Sequence, residues 1–150
     1  MLEVGQPFPD FDLPDKDGVR RTKADLVGAR ALVYFYPKDD TPGCTAEACG
    51  IRDVFPRFEG VRVFGVSPDT VKSHRKFASK YQLPFTLLAD EEHELAEACG
   101  VWGEKSIYGR LVQGFNRVSF LLDETGVVTK VWPKVKAAGH AVEVIGALQL

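Results

Sequence analysis

Apolar positions along the chain fall into two kinds of pattern. The first is continuous. ALVYFYP (residues 31–37), VRVFGVS (61–67) and PFTLLAD (84–90) are apolar, aromatic or β-branched nearly throughout. Such runs predict strands buried on both faces. RVSFLLD (117–123) and VVTKVW (127–132) flank ETG, which predicts a hairpin. The second pattern is periodic. In SPDTVKSHRKFASKY, Val71, His74, Ala78 and Tyr81 recur at spacings of three and four, predicting a helix with Asp69 as its N-cap. EEHELAEACG reads as a short helix ended by Gly100, and GHAVEVIGALQL as a terminal helix. Strands alternating with helices, then a hairpin and a last helix, predict an α/β fold whose central mixed β-sheet is flanked by helices. There is no repeat, low-complexity tract or Gly/Ser-rich linker, so residues 1–150 read as a single domain.

Composition narrows the function classes. The chain is 45% hydrophobic and 27% charged, as in an ordinary globular protein, and its 150 residues suffice for a substantial core. A net charge of −2, without a long basic run, gives no basis for binding nucleic acid or an anionic membrane surface. The opening MLEVGQPFPDFDL lacks the basic start and apolar stretch of a signal peptide, and no window is apolar for long enough to span a bilayer. The cysteines number three, few and odd, which points to a reducing cytoplasm where cysteines tend to be catalytic or metal-binding. His74, His93 and His140 are widely separated and show no metal-ligand spacing, so they read as ordinary residues.

Two of the cysteines stand close together in YPKDDTPGCTAEACG (residues 36–50). The segment from Cys44 onward has an apolar stripe at Ala48, Ile51, Phe55 and Phe58, and four residues back from Ala48 lies Cys44. Cys44 therefore begins the core-facing stripe at the first turn of a helix, directly after a buried strand. Free N–H groups at a helix start favour negative charge, and the thiolate is the reactive form of cysteine. Pro42 and Gly43 shape the preceding turn, and Thr41 offers a hydroxyl toward the same space. Cys49 lies five residues on, about 140° around the helix, with its Cα roughly 8–9 Å from that of Cys44. A disulfide needs Cα atoms within about 7 Å. A bond between the two requires the first helical turns to unwind. Gly50 weakens the helix interior by about 1 kcal/mol relative to alanine, and Pro56 interrupts or ends it.

The stretch FYPKDDTPGCTAEACG resembles the active-site segment of peroxiredoxins of the peroxiredoxin Q, or bacterioferritin comigratory protein, group. Pro37, Thr41 and Cys44 meet the family's spacing, and Cys49 falls where that group places a resolving cysteine. FTLLADEEHELAEACGVWGEKSIYG and NRVSFLLDETG also resemble family segments, so the likeness covers nearly the whole chain. It implies a thioredoxin-like fold with added N-terminal and inserted elements. It implies a peroxidase acting on hydrogen peroxide and organic hydroperoxides. In that reading Cys44 becomes a sulfenic acid and Cys49 resolves it as an intramolecular disulfide, which thioredoxin reduces. Thr41 would hydrogen-bond the thiolate and the peroxide, Arg117 would stabilise the thiolate and the charge developing on oxygen, and Pro37 would shield the pocket. No cofactor or metal is required, because sulfur carries the electrons, and the likeness favours a monomer.

The remaining candidates read as structural. Cys99, beside Gly100 at a helix end, is expected to be a packed small residue, and Trp102 and Trp132 core or pocket-rim residues. Glu47 is expected to be a solvated first-turn carboxylate favourable to the helix dipole. Two competing functions are weighed beside the peroxidase. A thioredoxin-like disulfide oxidoreductase lacks its Cys-x-x-Cys here. A redox sensor or metal-binding module would share the cysteines but turn over slowly or bind zinc.

Overall fold

The computed structural model describes residues 1–149. Its centre is a five-stranded sheet made of β3 (Arg30–Phe35), β4 (Val61–Ser67), β5 (Thr86–Ala89), β8 (Val118–Leu122) and β9 (Val128–Trp132), in spatial order β5-β4-β3-β8-β9. The continuous apolar runs are the parallel strands β3, β4 and β5. β8 runs antiparallel to β3, and β9 closes the edge as the second arm of the ETG hairpin. The mixed sheet flanked by helices is thus as the sequence predicts. The N-terminal hairpin of β1 (Asp12–Pro14) and β2 (Arg20–Thr22) and the inserted hairpin of β6 (Trp102–Ile107) and β7 (Arg110–Phe115) are added to it. Neither hairpin is evident from hydrophobic patterning: β1 and β2 are three residues each, and β7 is largely exposed. Their pairing comes from backbone hydrogen bonds rather than from a buried stripe.

Strand alternation divides the core into two clusters, one on each face of the sheet. Ala31, Val33 and Phe35 of β3 join Phe8, Leu26, Phe115 and Phe120 on one face, covered by the short helix α3 (Glu94–Cys99). Leu32 and Tyr34, with Tyr36 beyond the strand end, point the other way. There they meet α1 (Pro42–Asp53), α2 (Val71–Tyr81) and α4 (His140–Leu148) through Cys44, Ala48, Ile51, Phe77, Val144 and Ile145. The stripe Cys44–Ala48–Ile51 is buried as expected, but a separate 3-10 turn at Phe55–Phe58 carries the last two positions. Pro56 stands within that turn, where its missing N–H breaks no α-helical bond.

One cap is assigned differently. Thr70, not Asp69, caps α2, its hydroxyl accepting from Ser73 N at 3.1 Å. Asp69 instead accepts from Asp39 N at 2.8 Å and from the Ser67 hydroxyl at 2.6 Å, tying the loop after β3 to the end of β4. Among the described residues no helix is long and apolar enough to cross a membrane.

Candidate active site

Thr41 is the N-cap of α1 with extended backbone (φ −95°, ψ 157°), and Pro42 takes the first helical position. A proline there needs no N–H and has its φ already set. The first helical hydrogen bond runs from Thr45 N to Thr41 O at 2.8 Å. The N–H groups of Gly43 and Cys44 precede that bond and have no intrahelical carbonyl. Cys44 is 1% exposed, at the point where this partial positive charge is greatest.

Arg117 arrives from the far side of the sheet's chain path but the same face. β8 pairs Ser119 with Tyr34, so the alternation that turns Ser119 toward α4 also turns Arg117 toward α1. Its Nη2 donates to Cys44 Sγ at 3.3 Å and its Nη1 to Glu47 Oε1 at 2.7 Å. One guanidinium therefore bridges two side chains a single helical turn apart. Gly43 suits this close approach: a Cβ there would lie 3.1 Å from Nη2, and the guanidinium would have to give by a few tenths of an ångström.

Glu47 corrects the expectation of a solvated carboxylate. Its side chain is 0% exposed, and burial pushes its carboxyl up to about 7 against the opposing pull of Arg117. Its second oxygen, Oε2, is buried without a partner, as is the hydroxyl of Tyr34 on the adjoining strand. The signal was present in the sequence: Glu47 is three residues from Cys44, on the face that the stripe assigns to the core. Lys105 is a second residue that patterning did not single out. It reaches from β6 to donate Nζ to Phe115 O at 2.8 Å, and its Cδ would lie 3.3 Å from a Cβ on Gly114. Burial and the nearby Arg117 lower its proton affinity, while Cys44 draws it back up. The thiol thus sits in the field of two cations.

The other sequence candidates are placed as follows. The Thr41 hydroxyl donates to Lys38 O at 2.8 Å, and among the described residues the side-chain hydrogen bond to Cys44 Sγ comes from Arg117 rather than from Thr41. Pro37 is half-buried at the end of the strand run. Cys49 is half-buried on α1, and all three cysteines are free thiols. Both Cys44 and Cys49 lie within continuous helix, so the Cα separation of about 8–9 Å expected from helical rise holds. Cys99 packs in the opposite core cluster at 0% exposure, where burial pushes its thiol up to about 12. Trp102 packs against that same cluster and stacks on His93, ring centroids 3.8 Å apart, while Trp132 packs on the α1 side.

His74 is buried in a polar network. Nδ1 meets Asp39 Oδ2 at 2.7 Å and Nε2 meets Leu88 O at 2.9 Å, while the Tyr36 and Ser73 hydroxyls donate to Asp39 at 2.6 and 2.8 Å. Asp39, Asp69 and His74 offer ligand atoms within 4.8 Å of one another, but these atoms are already committed to hydrogen bonds. The network ties the loop that carries Thr41 to α2 and to the end of β5.

A buried thiol at a helix start, backed by an arginine and set on a thioredoxin-type sheet, defines a peroxiredoxin site. The chain belongs to the AhpC/TSA family, whose model matches residues 4–131, and within it to the peroxiredoxin Q/Bcp group. It is 50% identical over 149 residues to a putative peroxiredoxin bcp of Coxiella burnetii, covering 98% of this chain and 99% of that protein. Peroxiredoxin Bcp of Escherichia coli is 46% identical over 141 residues, with 93% and 90% covered. Among solved structures, the bacterioferritin comigratory protein of Xanthomonas campestris, described for its alkyl peroxide reduction activity, is 39% identical with a TM-score of 0.89. That match covers 99% of this chain and 96% of that one.

Proposed function

We propose that the chain is a thioredoxin-dependent peroxidase, reducing hydrogen peroxide and organic hydroperoxides to water and alcohols as a single-domain cytoplasmic monomer. The observation that carries this reading is the 3.3 Å contact from Arg117 Nη2 to Cys44 Sγ. A guanidinium and free helix-start N–H groups both favour the thiolate. The same donors stabilise negative charge on the peroxide oxygens as the O–O bond breaks. Thr41, its own hydrogen given to Lys38, accepts a hydrogen bond from the peroxide O–H. Pro37 narrows the mouth of the pocket. Substrates beyond hydrogen peroxide are supported by the alkyl peroxide activity of the Xanthomonas relative.

Cys44 sulfur attacks one peroxide oxygen and becomes a sulfenic acid. The Cys49 thiol then displaces its hydroxyl as water, leaving a disulfide that thioredoxin reduces. With both cysteines in the continuous helix α1, that bond forms only after the helix opens. Disulfide formation protects Cys44 from sulfinic acid, which is usually irreversible. The test is to mix fully reduced protein with one equivalent of hydrogen peroxide, alkylate within seconds and map the thiols by mass spectrometry. A Cys44–Cys49 link with Cys99 alkylated is expected. A Cys44 sulfenic or sulfinic acid beside free Cys49 removes Cys49 as resolver, and survival of all three thiols overturns the peroxidase reading.

A further inference from the structure

We propose that Glu47 is the proton donor of the peroxide-cleaving step, storing the proton that the Cys44 thiol gives up and delivering it to the leaving oxygen across Arg117. The proposal rests on the peroxidase reading above and adds to it the fate of a proton.

Breaking a peroxide produces hydroxide or alkoxide, both strong bases, so a positioned acid speeds the step. Around the Cys44–Arg117–Glu47 bridge, the titratable or charged side chains include Tyr34 on β3, Lys105 on β6 and His140 on α4. Arg117 holds its protons at any working pH. Tyr34 is pushed well above its ordinary value by burial and holds its proton too. Lys105 Nζ is engaged with the Phe115 carbonyl, and His140 Nε2 with the Ser119 hydroxyl at 2.8 Å. Glu47 alone combines proximity with a proton affinity matched to neutral pH, about 7. It bonds through Oε1 to the same guanidinium that holds the sulfur, and Oε2 is left buried and unpartnered. A peroxide oxygen bound at that guanidinium lies within one hydrogen bond, or one intervening water, of the carboxyl.

The step balances. Cys44 sulfur supplies an electron pair to the hydroxyl oxygen of ROOH, the S–O bond forms and the O–O bond breaks. The released pair goes to RO⁻, which takes the Glu47 proton and leaves as ROH. Cys44 is now the sulfenic acid, oxidised by two electrons, and Glu47 is a carboxylate paired with Arg117. After resolution and reduction, Cys44 returns as a thiol. Its proton passes to Glu47, and the thiolate–carboxylic acid pair is restored.

The experiment compares single-turnover rates of wild type and Glu47→Gln with two kinds of oxidant. tert-Butyl hydroperoxide releases a strongly basic alkoxide, whereas peracetic acid releases acetate, which needs no proton. Glutamine keeps an oxygen for Arg117 Nη1 but has no proton to donate. Glu47→Gln should slow the alkyl hydroperoxide about 100-fold and change the peracid rate less than about threefold. The wild-type rate with the hydroperoxide should fall as pH rises through about 7, and the variant should lack that fall. Equal slowing with both oxidants, or no slowing with either, overturns the proposal, since a group that only positions Arg117 affects the thiolate for every oxidant. If Glu47→Gln does not fold, Glu47→Asp takes its place. Its shorter carboxyl should slow the hydroperoxide more than the peracid, and equal slowing again rejects the idea. Wild-type protein inert to both oxidants instead defeats the underlying peroxidase reading.

Discussion

Cys44 and Cys99 are equally hidden, at 1% and 0% exposure, yet they occupy opposite faces of one sheet and meet opposite environments. Cys99 ends a short helix among Leu95, Ala96 and Val101, where burial, with Asp90 adding to it, raises its thiol to about 12. Cys44 begins a helix, with unpaired N–H groups around it and a guanidinium at 3.3 Å. Burial by itself makes a thiol inert. Burial beside preorganised positive charge favours the thiolate form of such a group, because the low dielectric that penalises an isolated anion strengthens a paired one.

That contrast yields graded tests. The largest effect should follow Cys44→Ser combined with Cys49→Ser, which leaves Cys99 as the buried thiol that must react. A thiol near 12 is ionised to about one part in 10⁵ at pH 7, so peroxide consumption by the variant should drop to near background in a stopped-flow assay. Consumption at a sizeable fraction of the wild-type rate would erase the distinction between the two sites. Arg117→Met comes next. Losing the donor at the sulfur should cost about 10²–10³ in the second-order rate with hydrogen peroxide, the usual effect of removing an oxyanion donor. Alkylation of Cys99 in the folded protein should be unchanged.

The third test concerns stability. Glu47 is raised in the folded chain from 4.5 to about 7, so the folded state binds more protons than the unfolded state between those values. Stability should therefore fall as pH rises through that window, by about 3 kcal/mol for a shift of this size. Urea unfolding of wild type and Glu47→Gln at pH 5 and pH 8 checks this, and the variant should lack that loss. A wild type that gains stability relative to the variant over the same interval would contradict the sign. The smallest effect belongs to Cys99→Ala, which opens a small void in the core. It should cost about 1–2 kcal/mol in unfolding and leave the peroxide rate unaltered.

The sheet was legible because its strands are the most hydrophobic runs in the chain; β4 spans Val61–Ser67 as its pattern reads. The helix of Cys44 was legible from its stripe, and the family from the motif around it. The two hairpins were not legible from patterning, since the exposed residues Arg110–Gln113 carry no periodic burial to read; only the family likeness implied N-terminal and inserted elements. Glu47 was misjudged because a charged residue near a helix start is ordinarily solvated. Only the tertiary approach of Arg117, 70 residues away, makes its burial tolerable. Lys105 escaped for the same reason: its neighbours come from another strand, and no spacing along the chain announces them.

In the proposed cycle helix α1 both moulds the site around Cys44 and carries Cys49, so the oxidised sulfur would have a lifetime set by how often that helix opens. During that interval a second peroxide competes with Cys49 for the same sulfur. The outcome is a race between a concentration and a folding rate. A stiffer residue at Gly50 would slow the opening and leave more protein in the irreversible form. Loosening the helix hastens repair but blurs the pocket. On the proposed cycle, the length and flexibility of a dozen residues would thereby set the peroxide level at which this protein survives its own chemistry.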